Sequence, residues 1–143
     1  MSKTLANIVL PIDKETVNKI IAFAKGETDN AIFKVADARM DKCMFIIAHG
    51  TPDGDMHIFN QYLTNMDILS SFYRNGLRKE EIEQIYTISC FGGLQQKVEM
   101  NGIKMNSIHD EKQEIFFRFK STSIEDKYWL CLYSNKNDYE GDR

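Results

Sequence analysis

Two residues in this chain could carry covalent chemistry together. His49 follows an apolar run in CMFIIAHG, and Cys90 follows a second apolar run in IYTISCFGG. A cysteine attacks as the thiolate, and an imidazole within reach can take the thiol proton and later hand it to a leaving group. The two residues are 41 positions apart, a separation that neighbouring parallel strands ending at one edge would close. Gly50, next after the histidine, lets its amide approach a substrate carbonyl, and the amide of Cys90 supplies a second donor for an oxyanion. Gly92 and Gly93 are expected to keep the turn after Cys90 compact. Asp53 and Asp55 follow His49 in TPDGDM. They would attract a basic side chain of a substrate, although an Asp-Gly-Asp stretch is more commonly a solvated turn.

The elements that must position these residues follow from the apolar pattern. NIVLPI reads as a short strand, and Val17, Ile20, Ile21 and Ala24 recur at helical spacing before Gly26. AIFKVAD reads as a strand and ARMDK as a turn, and CMFIIA is apolar on both faces, as a central strand of a parallel sheet would be. MHIFNQYL suits a short edge segment or hairpin. Thr64 or Asn65 can cap a helix that aligns Ile68, Leu69 and Phe72 and stops near Gly76, and RKEEIEQ reads as a further polar helical turn. IYTIS is the next strand, which makes the middle of the chain a βαβ unit with both reactive residues at the carboxyl edge, where open α/β sheets gather their ligands. KVEMNGIKMNSIHD carries an Asn-Gly turn suited to a hairpin, EIFFRFKS and KYWLCLYS read as strands, and the polar tail NKNDYEGDR is expected to fray. These elements predict one α/β domain spanning residues 1–143, built on a mainly parallel central sheet.

An apolar strand ending in His-Gly, followed by an apolar strand ending in Ser-Cys-x-Gly, resembles the caspase-like cysteine peptidases. That family includes caspases, gingipains, legumains, separases and the self-processing domains of some bacterial toxins. The resemblance covers residues 43–93 and implies that His49 is the base, Gly50 an oxyanion donor, Cys90 the nucleophile and Gly92 the glycine that commonly follows it. It also implies a three-layer fold, with helices flanking the sheet, and a peptide or protein substrate, the chain itself included. The toxin branch is activated by a polyanionic inositol phosphate, which needs a strongly basic surface. Here Lys97, Lys104, Lys112, Arg118, Lys120 and Lys127 alternate with Glu99, Asp110, Glu111, Glu114, Glu125 and Asp126, so no cofactor is expected.

Composition narrows the remaining classes. The 143 residues carry a formal charge of −3 without a long like-charge run, which leaves no electrostatic footprint for nucleic acid. Cys43, Cys90 and Cys131 are widely spaced with no CxxC pair, which argues against a disulfide framework. His49, His57 and His109 show no ligand spacing with one another, so no metal is expected. His57 and His109 read as surface or structural residues, Cys43 and Cys131 as core, and Trp129 as part of a packed strand. The apolar stretch before Pro11 is too short for a signal peptide and no later run reaches membrane length, so the expectation is a cytoplasmic protein without a membrane partner. Nothing in the pattern selects an oligomeric state. Beside the peptidase stand two further readings: a catalytically silent caspase-like binding or regulatory module, and another α/β ligand-binding protein that uses its His-Gly loop differently. SCFGG is not the G-x-S-x-G of an α/β-hydrolase.

Overall fold

Strands outnumber helices among the described residues. The computed structural model describes residues 4–35, 42–95, 97–108, 115–121 and 128–133. In chain order the elements are β1 (Thr4–Ile12), α1 (Lys14–Ala24), β2 (Asn30–Lys34), β3 (Cys43–Gly50), β4 (Met56–Ile58), β5 (Gln61–Leu63), α2 (Asn65–Arg74), β6 (Gln84–Ile88), β7 (Val98–Met100), β8 (Ile103–Ser107), β9 (Phe116–Ser121) and β10 (Tyr128–Tyr133). Residues 38–41 of the turn expected over ARMDK, His109 and the tail from residue 135 lie outside the described residues.

The larger sheet has the order β5-β4-β3-β6-β8-β7, with β2 also paired to β3. Of its six pairings, β3 with β6 and β6 with β8 are parallel and the other four are antiparallel. The expectation of a mainly parallel sheet flanked by helices in three layers is therefore corrected to a strand-rich, mixed architecture with two α-helices among the described residues. The reason lies in the connections. Phe59 and Asn60 both have positive φ, 55° and 59°, and close β4 onto β5 in a two-residue turn. Asn101 and Gly102, at φ 49° and 85°, do the same for β7 and β8. Tight turns return a strand antiparallel, whereas a parallel neighbour needs a crossover, and among the described residues α2 is the one α-helix that serves as a crossover within this sheet. RKEEIEQ, expected as a polar helical turn, makes one such turn, closed by the Glu81 and Ile82 amides on Arg78 O at 3.0 and 3.1 Å, and is not continued into a helix.

A second sheet, antiparallel and ordered β1-β10-β9, is built from the two ends of the described chain. The sequence pattern identified its strands but not their separation from the first sheet. Alternation along β3 explains how the layers meet. Phe45 and Ile47 share a cluster with Val17, Ile20 and Phe23 of α1 and with Leu130 and Leu132 of β10. Met44, Ile46 and Ala48 share the opposite cluster with Ile68 and Leu69 of α2 and with Met56 and Ile58 of β4. One face of the larger sheet is thus covered by α1 and the small sheet together, the other by α2. Being buried on both faces is what makes β3 a continuous apolar run.

Both helices begin on side-chain caps. Thr64 and Asp67 form a reciprocal capping box at the start of α2, each bond 3.2 Å long. At α1, Asp13 accepts the Thr16 amide at 2.8 Å, and this hydrogen bond holds its carboxyl below the ordinary value of 3.8. A carboxylate whose folded pKa is depressed contributes stability above its unfolded value, and loses it as pH falls through the folded one. Asp13→Ala should therefore cost about 1 kcal/mol near neutral pH. In urea titrations the difference from the parent should hold down to the ordinary carboxylate range and shrink as pH drops below it, and a difference that stays constant well below that range would refute the capping role.

Candidate functional site

His49 and Cys90, the candidate pair, are positioned by the parallel ladder of β3 and β6. Each Cα pair in it, from Cys43 with Gln84 to Ile47 with Ile88, has an offset of 41 residues, the same offset that separates His49 from Cys90. Both residues lie two positions beyond the last ladder pair. Alternation assigns His49 to the face of Phe45 and Ile47, and Cys90 to the face of Tyr86 and Ile88, which is the same face of the sheet. The chains remain in contact past the ladder at Gly50, where a Cβ would sit 1.8 Å from the carbonyl oxygen of Cys90 and 2.8 Å from its carbonyl carbon. Only a glycine fits there. The sequence suggested Gly50 for the reach of its amide, and the structure adds a steric reason that is independent of catalysis.

Cys90 is half-buried. Its Sγ accepts the Ile115 amide at 3.4 Å and lies 3.8 Å from the Ile115 carbonyl oxygen, to which the thiol can donate. The residue just before β9 therefore runs directly over the sulfur. The chain then turns through Phe91, which adopts the left-handed conformation at φ 60°, so this position and not a glycine carries the unusual backbone of the turn. Gly92 starts a short 3-10 turn and its amide donates to Ser89 O at 3.2 Å. Cys131 is buried, as expected for core, but Cys43, at the far end of β3, is half-buried like Cys90.

The loops after the two strands are tied together by a residue the sequence did not single out. Gln95 accepts the Asn65 amide at 3.1 Å on its Oε1 and donates from Nε2 to Gly54 O. It thereby joins the turn after Cys90, the turn after His49 and the start of α2. Gly54, at φ +93°, brings its Cα so close to Leu94 that a Cβ would meet the leucine Cβ at 2.8 Å. No local signal in the sequence marks Gln95, because its partners lie 30 and 41 residues away.

His49 is exposed, its ring resting against Phe23 of α1 with centroids 4.5 Å apart. At this residue β3 changes its antiparallel partner: Ala48 still pairs with Asn30 of β2, whereas His49 pairs with His57 of β4. The change opens a cleft lined by His49, His57, Asn60, Glu27 and Asp29. Asp29 holds the cleft wall, accepting Asn30 Nδ2 at 2.9 Å and the Asn60 amide at 2.7 Å. Asp53 and Asp55, the acidic residues singled out in the sequence, belong instead to the β3–β4 turn, which is closed by Thr51 N to Asp55 O at 3.0 Å and Gly54 N to Thr51 O at 2.8 Å. Glu27 and Asp29 went unnoticed because GETDN reads simply as the loop after a helix.

Of the ionisable groups on this face, Tyr86 shows a raised pKa, caused by burial and then by the neighbouring Cys43. Among the described residues no three His, Cys, Asp or Glu side chains converge as a metal site, and no helix is long and apolar enough to cross a membrane. No family model, curated protein or solved structure matches this chain significantly.

Gly50→Ala should be among the most damaging small substitutions in the chain, since the methyl meets backbone that cannot rotate away. We expect a loss of about 3 kcal/mol in urea unfolding and faster alkylation of Cys90 as its peptide is displaced. A variant as stable as the parent would show that the strands do not meet at this point.

Proposed function

We propose that the chain is a cysteine peptidase with Cys90 as nucleophile and His49 as its acid-base partner. The observation that carries this reading is the common offset and common face of His49 and Cys90 at the carboxyl ends of adjacent parallel strands. The Gly50 backbone packed against the Cys90 peptide supports it. The resemblance to caspase-like peptidases is proposed for this strand pair and its chemistry, not for the surrounding layers.

In this reaction the His49 imidazole takes the Cys90 thiol proton and the sulfur attacks the scissile carbonyl carbon, forming a C–S bond and an oxyanion. The amides of Gly50 and Cys90 hold that oxyanion. Its collapse breaks the C–N bond, the imidazolium protonates the leaving amine, and a water deprotonated by His49 then hydrolyses the thioester. The Ile115 amide that donates to Sγ favours the anionic sulfur. The Ile115 main chain also occupies ground beside the sulfur that a substrate peptide would take, which makes the chain itself one of the substrates to test. A thiol nucleophile suits a reducing compartment, and the cytoplasm is the proposed site of action.

The same contact favours one second reading, a catalytically silent binding or regulatory module, because a thiol bonded to main chain is also what a structural cysteine has. Mutants separate the two. Against a mixed peptide library and against the chain itself, Cys90→Ala should abolish cleavage. His49→Ala should lower it about 10²- to 10⁴-fold, while Cys43→Ala and Cys131→Ala retain it. Mass spectrometry should find an electrophile on Cys90 in the Cys43→Ala background. A folded parent that cleaves nothing, accumulates no thioester and leaves Cys90 unlabelled would favour the silent module.

A further inference from the structure

His49 and His57 stand directly opposite each other on antiparallel β3 and β4. Such pairs have Cβ atoms about 5 Å apart and side chains rising from one face, and both imidazoles line the same cleft. Each ring is supported by an aromatic neighbour, His49 by Phe23 at 4.5 Å and His57 by Tyr62 at 5.0 Å between centroids. Two imidazole nitrogens bound at about 2.0–2.1 Å to one tetrahedral ion are little more than 3 Å apart, a separation that modest rotamer adjustment of a directly opposed pair provides. The cleft also favours a cation. Glu27 and Asp29 line it, and no Lys or Arg is among its lining residues.

We propose that His49 and His57 form a two-imidazole site for a divalent transition-metal ion of borderline softness, such as zinc(II), with water completing the coordination shell. Imidazole selects this class of ion over magnesium or calcium, which take oxygen ligands. No third His, Cys, Asp or Glu among the described residues converges on the pair, so the affinity is that of a two-ligand chelate, micromolar and reversible, far weaker than a four-ligand structural site. Asp29 contributes through its charge, since both of its oxygens already accept hydrogen bonds from Asn30 and Asn60. The eight-residue separation matches no zinc motif, and only the register of the hairpin brings the pair together.

If the peptidase reading holds, the metal also acts as a brake, because an imidazole whose lone pair is on the ion cannot take the Cys90 proton. This consequence rests on that reading, whereas the binding does not. The two are tested apart by titrating zinc chloride into metal-free full-length protein carrying Cys90→Ser, which has no nucleophile and no thiolate at this site. Calorimetry should show one zinc per chain, weakened at least tenfold by adding His57→Gln and equally by adding His49→Gln. Imidazole nitrogen resonances of the wild-type chain give a readout independent of how the variants fold, and zinc should shift those of His49 and His57. Unchanged affinity in Cys90→Ser/His57→Gln, loss of binding with Cys90→Ser alone, or shifts confined to His109 would each overturn the site. In the wild-type chain, zinc should slow alkylation of Cys90 but not in His57→Gln. With binding intact, equal slowing in both would overturn the brake alone.

Discussion

The contact on which the candidate site depends is backbone against backbone, where Gly50 meets the peptide of Cys90. Parallel pairing of β3 with β6 sets the offset, but the ladder ends two residues short of the reactive pair. What keeps the strands together beyond it is the absence of a side chain at residue 50, where a Cβ would overlap the Cys90 carbonyl. Any larger residue would push the strands apart beside His49 and Cys90. The proposed catalysis and the packing make the same demand of this residue, and a stability measurement reports on the packing directly.

The surroundings of that contact are asymmetric. On one side β3 exchanges β2 for β4 at His49, which leaves an open cleft with acidic walls and a second imidazole. On the other, the residue leading into β9 crosses the Cys90 sulfur. The His49 imidazole is thus open to solvent while the Cys90 sulfur is covered by its own chain, and access to the thiol depends on how firmly that residue is held. The Gln95 clamp works on the remaining side, joining both loops to the capped start of α2. A polar side chain bridging two backbone groups fixes loop position without adding apolar surface, which suits a rim that must stay open.

The correction of the fold class has a specific cause. Apolar runs on β3 and β6 signal burial on both faces, and burial of that kind is common in parallel sheets. It is equally produced when a second sheet covers one face, as β1, β10 and β9 do here with α1. An apolar run carries no information about what covers it. Direction is set by connections, and among the described residues the turns at Thr51–Asp55, Phe59-Asn60 and Asn101-Gly102 set it locally. The Asn-Gly pair was legible because its chemistry favours positive φ at both positions. Phe59-Asn60 was less so, because phenylalanine is an unusual residue there and tertiary packing, with the Phe59 ring edge-on to Phe72 at 6.0 Å, accompanies the strained turn.

The sequence by itself determined the local elements and singled out His49 and Cys90 as the candidate pair. Apolar runs mark β3 and β6, helical spacing marks α1, a cap at Thr64 or Asn65 marks the start of α2, and His-Gly and Ser-Cys at the strand ends mark the candidate chemistry. These signals are short-range: each depends on residues within about one turn or one strand of its neighbours. Tertiary structure alone decided the split into two sheets, the steric need for Gly50, the position of Ile115 over the sulfur, the Gln95 clamp and the pairing of His49 with His57. All of these join segments that are not read together along the chain. Their partners are selected by sheet register and packing, which depend on the whole chain folding at once.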